Sequence, residues 1–157
     1  MQNWRPVWSN QTRKRQSQML NNIEEAGSNK STFYELLGGD AAAQDLIKRL
    51  VDTFYDVMDT DPKAAGIRAL HQPDLTDARE KLFMFLTGWT GGPQLYIERY
   101  GHPMLRRRHM PFAIGESERD QWMYCMIRAM HTLQLEDDLM KKLATQLYGV
   151  ADFMRNQ

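Results

Sequence analysis

The sequence predicts an all-α fold, and three observations carry that reading. Apolar residues recur at three- and four-residue steps through four long segments. The strict alternation of a half-buried strand is almost absent. The segments open on capping residues and stop at glycine or proline, the punctuation expected of helices.

Taken in chain order, residues 1–30 come first. They are rich in Asn, Gln, Ser, Arg and Lys, with Trp4 and Trp8 the only large aromatics and no sustained apolar stripe. This stretch reads as a polar extension: either a loosely attached tail, or a short helix around Gln16 to Ile23 that docks Met19, Leu20 and Ile23 on the body or on a second subunit. The body spans residues 31–157. Thr32 and Glu35 have capping-box spacing and open a very short helix that Gly38-Gly39 closes. Asp40 suits the cap of the next helix, whose stripe is Ala43, Leu46, Ile47, Leu50, Val51, Phe54 and Met58, with Tyr55 facing inward. Asp74, Leu75, Thr76 and Asp77 begin another, on which Ala78, Leu82, Phe85, Leu86 and Trp89 share a face until Gly91-Gly92-Pro93 ends it. Ser117 starts a third long helix with Trp122, Cys125, Met126, Ala129 and Met130 inward. The last carries Leu139, Leu143, Leu147, Val150, Ala151 and Met154. Four long helices with glycine pairs at two corners fit a simple bundle or a compact globin-like arrangement.

Composition narrows the function. A chain of 157 residues suits one domain. Its 20 basic and 20 acidic residues balance, so no net field favours nucleic acid or an anionic membrane surface. No apolar run approaches the roughly 20 residues of a membrane span, and the N-terminus lacks a secretory apolar segment, so the expected location is cytoplasmic. The single cysteine, Cys125, can form no internal disulfide, no cysteine-based zinc framework and no c-type haem attachment.

The stretch from Gly101 to Ile114 is too polar for a core helix and too apolar, at Met104, Leu105, Phe112 and Ile114, for a free loop. It suits a wall that presents specific groups. His109 lies between three arginines and a proline, a cationic setting that favours the neutral imidazole able to coordinate a metal. The same residues also fit a partly buried histidine bonded to a backbone carbonyl.

From about Phe33 to Met154 the chain resembles the truncated haemoglobins, specifically their second group. The resemblance rests on Phe33-Tyr34 with Gly38-Gly39, on Phe54-Tyr55, and on Phe85-Leu86 before Gly91-Gly92-Pro93. It rests also on the run Gly101-His102-Pro103-Met104-Leu105-Arg106, on Arg108-His109 and Pro111-Phe112, and on Arg119-Asp120 with Trp122 and Cys125-Met126. The most specific part is the His-Pro to Arg-His stretch followed thirteen residues later by Trp122. The resemblance implies a truncated two-over-two helical sandwich around haem b, held without thioether bonds. It implies His109 as the proximal iron ligand, with the opposite face open to O2, CO or NO. Tyr55 and Trp122 fall at distal hydrogen-bond donor positions. His71 falls at a polar corner position, where it could donate a third hydrogen bond or close onto the iron when no ligand is bound. A one-residue loop shift would put Leu70 or Gln72 there instead.

Ala78 stands where vertebrate globins have a distal histidine and, with Leu82 one turn on, would form the apolar part of the distal pocket. Lys81, Tyr96, Arg106 and Arg108 are expected to meet the haem propionates, Lys81 and Arg108 foremost. Leu75, Phe83, Leu86, Leu105, Phe112, Ile114 and Met126 are expected to contact the macrocycle. Function then divides between reversible O2 binding, which is preferred, and a haem enzyme for NO dioxygenation or peroxide reduction. No Gly-x-Gly-x-x-Gly fingerprint occurs, so an enzyme would need a separate reductase. A haem-free helical interaction module is the third reading, and the chain is expected to be a monomer or homodimer.

Overall fold

The computed structural model describes residues 31–157, all of whose regular elements are helical. The extension read over residues 1–30, with its Gln16 to Ile23 helix, lies outside the described residues. The opening helix α1, Phe33–Leu36, has the expected cap: the Thr32 hydroxyl accepts from Glu35 N at 3.1 Å. Gly38 (φ 115°) and Gly39 (φ 67°) then turn the chain through conformations that cost a side chain strain. Asp40 does not cap the next helix. Gly39 takes that position, Asp40 is already the first helical residue, and its carbonyl receives the Tyr34 hydroxyl at 2.9 Å.

Helix α2, Asp40–Thr60, buries Ala43, Ile47, Leu50, Val51, Phe54, Tyr55 and Met58, with Leu46 half-buried at the margin of the stripe. After it the Asp61 carboxylate caps a 3-10 turn, Pro62–Ala64, and takes the Tyr124 hydroxyl at 2.6 Å. Helix α3, Ala65–Ala69, was not foreseen, while the loop expected at His71 follows it. The loop is held by Arg68, which bonds Asp59 and the carbonyls of Gln72 and Pro73 at 2.8–2.9 Å. Helix α4 is Thr76–Trp89, entered through an Asp74 carboxylate that accepts from both Thr76 N and its hydroxyl. Of its predicted stripe only Leu86 is fully buried. Ala78, Leu82, Phe85 and Trp89 are half-buried, while Met84 and Thr87 are buried beside them.

Two glycines end α4 because α1 lies against that corner. A Cβ on Gly92 would stand 2.5 Å from the Tyr34 ring and 2.9 Å from the Thr87 carbonyl. Two short helices follow, α5, Leu95–Tyr100, and α6, Leu105–His109; the wall segment therefore includes a single helical turn where none was expected. Helix α7, Glu116–Thr132, begins one residue before the predicted Ser117, with the Glu118 carboxylate accepting from Gly115 N at 3.0 Å. Helix α8 is Asp137–Phe153.

The long helices form two pairs, α2 with α4 and α7 with α8, joined where α2 packs on α7. This is the expected two-over-two sandwich. Phe54, Ile47, Met58, Met126, Met130 and Leu147 are sealed at its centre, each contributing about 1.5–3 kcal/mol through burial. Cys125 is fully buried there, and desolvation pushes its thiol up to about 11, so it is an inert packing group.

Candidate functional site

Tyr55 and Trp122 come from different helices, α2 and α7, and both pack against one ring. Phe54 lies 4.9 Å from the Tyr55 ring centroid and 5.1 Å from that of Trp122. Tyr55 is only 5 % exposed, and burial raises its phenol pKa well above the usual 10, against the opposing charge of Arg79. Yet among the described residues its hydroxyl has no hydrogen-bond partner, nor does the Trp122 indole N–H, and neither atom is sealed in the interior. Two donors are thus left without a partner among the described residues.

His71 stands beside Tyr55. Its ring packs edge-on to Tyr55 at 5.8 Å, while Gln72 is exposed; His71 is the corner residue that reaches the tyrosine. Its Nδ1 lies 2.9 Å from the Ile67 carbonyl, an acceptor only, so Nδ1 carries the proton. The neutral ring consequently presents a bare lone pair at Nε2. It is an acceptor or a metal ligand there, and a donor only once protonated. That alters the expected role of His71 as a donor at neutral pH. Burial holds its pKa below the usual 6.5, with the charges of Arg68 and His109 adding to this and the Ile67 carbonyl opposing it.

His109 ends α6, which the chain enters through Met104 in the left-handed region (φ 46°, ψ 47°). Its Nδ1 donates to the Leu105 carbonyl at 2.6 Å. Both readings left open for this residue are therefore compatible: the carbonyl fixes the tautomer, and that tautomer leaves Nε2 as a free lone pair, the state a metal requires. No cluster of three or more His, Cys, Asp or Glu that could hold a metal ion occurs among the described residues.

The expected apolar contacts fall into two sets. Leu75, Leu86 and Met126 are buried in the central core, with Ala78, Leu82 and Phe83 packed half-buried against it. Leu105, Phe112 and Ile114 stand outside that cluster, on the His109 side, with Phe112 42 % exposed. Around the rim, the Arg108 guanidinium sits 5.7 Å over the ring of buried Tyr96, and Lys81 Nζ sits 5.5 Å over Tyr100, the neighbour of Tyr96 at 5.0 Å. Lys81 also pairs with Asp77 at 2.8 Å. Arg106 is placed differently: its Nη1 donates to the carbonyls of Phe153 and Arg155 at 3.0 and 2.8 Å, at the end of α8. That nitrogen neutralises a helix C-terminus, a role sequence spacing did not suggest.

Comparison with known proteins decides the identity. A model of the bacterial-like globins matches residues 32–156, and the group 2 truncated haemoglobin YjbI of Bacillus subtilis is 40 % identical over 118 residues, 75 % of this chain and 87 % of that protein. The chain belongs to the truncated haemoglobins, in their second group. Among solved truncated haemoglobins, the group II 2-on-2 protein of Agrobacterium tumefaciens is 41 % identical with a TM-score of 0.76, covering 83 % of this chain and 98 % of its own. An oxygen-avid haemoglobin from Bacillus subtilis is 38 % identical with a TM-score of 0.71, covering 80 % and 99 %.

Three further residues of this truncated haemoglobin escaped sequence reading. Arg79 spans α4 to α2, bonding Asp52 and Asp56 while lying 5.8 Å over the Tyr55 ring. Gln121 accepts from Ile67 N at 2.9 Å, steadying the turn whose carbonyl holds His71, and donates to Ser117. Asn156 grips the loop after His109. Only the Ser117–Gln121 spacing of one helical turn left a trace in the sequence; the other partners are remote along the chain.

Proposed function

We propose that this chain holds haem b through His109 Nε2 and binds O2 reversibly, with CO and NO as further ligands. What carries the reading is a pair of donors without partners among the described residues, Tyr55 Oη and Trp122 Nε1, with His71 packed on Tyr55, and at His109 an imidazole whose tautomer is set for coordination. The residues present fit the group: an acceptor-bound histidine for the metal, two apolar sets for the macrocycle, and Lys81, Tyr96 and Arg108 for the propionates. Arg106 is left to its α8 carbonyls. Haem held by His109 would supply an iron able to bind a diatomic ligand.

The chain supplies the rest. Leu105 holds the His109 proton at Nδ1. Tyr55 and Trp122 donate to a polar ligand, each hydrogen bond contributing about 0.5–1.5 kcal/mol. Ala78 and Leu82 offer no donor and keep the space beside them apolar. His71, with its Nε2 lone pair, could close onto the iron when no diatomic is present, and becomes a donor only as an imidazolium. Several donors favour slow release, and the related Bacillus subtilis protein described as oxygen-avid supports that direction. Reduced, haem-loaded protein titrated with O2 and then purged should return to its deoxy spectrum. Irreversible oxidation in every cycle, with NO consumed catalytically when a reductant is supplied, would place the chain with the enzymatic reading instead.

A further inference from the structure

The last residues of the chain run back across the loop that follows His109. Asn156 Nδ2 donates to the Phe112 carbonyl at 2.6 Å and to the His109 carbonyl at 3.3 Å. Its Oδ1 accepts from Ile114 N at 3.0 Å, and its own backbone N–H donates to the Ile114 carbonyl at 2.9 Å. One side chain thus satisfies backbone groups of three residues in a loop that has no regular ladder of its own. Gln157 N adds a second donor to the Ile114 carbonyl. From the other direction Arg106, three residues before His109 on the same helical turn, ties α6 to the Phe153 and Arg155 carbonyls.

The segment that does this is itself anchored. Asp152 takes Arg119 of α7 at 2.8 Å, a guanidinium only 11 % exposed, and Arg155 bridges Asp152 and Glu116. His109 therefore sits between two attachments to the end of α8, one before it through Arg106 and one after it through Asn156.

We infer that the C-terminal segment is a clasp that sets the position of the proximal histidine, with Asn156 as its principal positioning residue and Arg106 as its second point. This rests on the reading of His109 as the iron ligand. Asn156 touches neither the imidazole nor the ligand side; it acts by holding the His109 carbonyl and the two residues that close the loop. A loosened loop lets the ring tilt and weakens its Nδ1–H bond to Leu105, which changes the basicity of Nε2.

The test uses full-length, haem-loaded protein with Asn156→Ala, Asn156→Asp and Gln157→Ala. Gln157 enters only through its backbone, so its alanine variant is the control. Three quantities are measured: the iron–histidine stretching band of the ferrous five-coordinate form by resonance Raman, the rate of haem transfer to excess apomyoglobin, and the unfolding midpoint of the haem-free chain. Asn156→Ala is expected to shift or broaden the band and to speed haem loss about tenfold, equivalent to about 1.4 kcal/mol, while Gln157→Ala matches wild type. Asn156→Asp keeps the acceptor for Ile114 N but sets a carboxylate against two carbonyls, and should disturb the band at least as much. An unmoved band in both Asn156 variants, whether or not the unfolding midpoint falls, would reduce Asn156 to a general structural contact and overturn the inference. Failure of the underlying reading is separable: His109→Ala would then keep its haem, and wild type would show no iron–histidine band.

Discussion

Replacing Tyr55 by Phe removes one oxygen atom and should act in opposite directions on stability and on ligand release. The ring of Tyr55 is 5 % exposed, and its hydroxyl has no partner among the described residues. A buried hydroxyl left unsatisfied costs about 1–3 kcal/mol, and because this one is not sealed the lower end applies. The packing of the ring against Phe54 and His71, and the Arg79 guanidinium over its face, survive the change. The haem-free Tyr55→Phe chain should therefore be more stable by about 1 kcal/mol, raising the unfolding temperature by about 2–4 °C for a chain of this size. On the proposed reading the same oxygen donates to bound O2, so its loss should speed O2 dissociation between about twofold and about twelvefold. Urea unfolding of the haem-free chain and stopped-flow O2 displacement by CO measure the two sides. A variant that is less stable and releases O2 at the wild-type rate would show that the hydroxyl serves the fold, and the argument from an unpartnered donor would be refuted.

Trp122→Phe should also speed O2 release by several-fold in the same displacement assay, with haem content retained, since most of the ring volume beside Phe54 remains. His71 should impose a pH dependence. Its folded pKa lies below the unfolded value near 6.5, so the unfolded chain binds the extra proton first and stability falls as pH drops below about 6.5. Over the same range imidazolium gains an Nε2–H and O2 dissociation should slow; stopped-flow traces from about pH 5 to 8 should flatten in His71→Phe. Gly92→Ala forces a methyl onto the Tyr34 ring and the Thr87 carbonyl, which should cost about 1–3 kcal/mol and lower the thermal midpoint by several degrees without changing ligand kinetics.

The long helices were legible because burial is written as a period: Ala43 to Met58 and Leu143 to Ala151 mark their inner faces directly. Capping at Thr32 was legible for the same local reason. Asp40 was misread, since a glycine with positive φ just before it turned the chain too soon for its carboxylate to cap. Helices α3, α5 and α6 are five, six and five residues long, too short for a period to show. At the site, Tyr55 was visible as a polar-tipped member of an apolar stripe, and His109 as an imidazole in a segment with no other reason for its composition. The tautomers of His71 and His109 were not visible, because each depends on which carbonyl lies one turn back. Arg106 looked like any rim cation, and its engagement by Phe153 and Arg155 is a contact across 47 and 49 positions of chain that no local pattern encodes.

The central claim is that His109 holds a haem whose other face accepts a diatomic ligand. Absorption spectra of ferric, ferrous and CO-bound protein, wild type beside His109→Ala and reconstituted under the same conditions, test it most directly. The account predicts a haem complex with a strong Soret band in wild type that shifts on adding CO, and loss of tight haem binding in the variant, since His102 lies seven residues away on an exposed turn before a proline. A His109→Ala protein with full haem content and the wild-type ferrous spectrum, or a wild-type chain that takes up no haem, would contradict it.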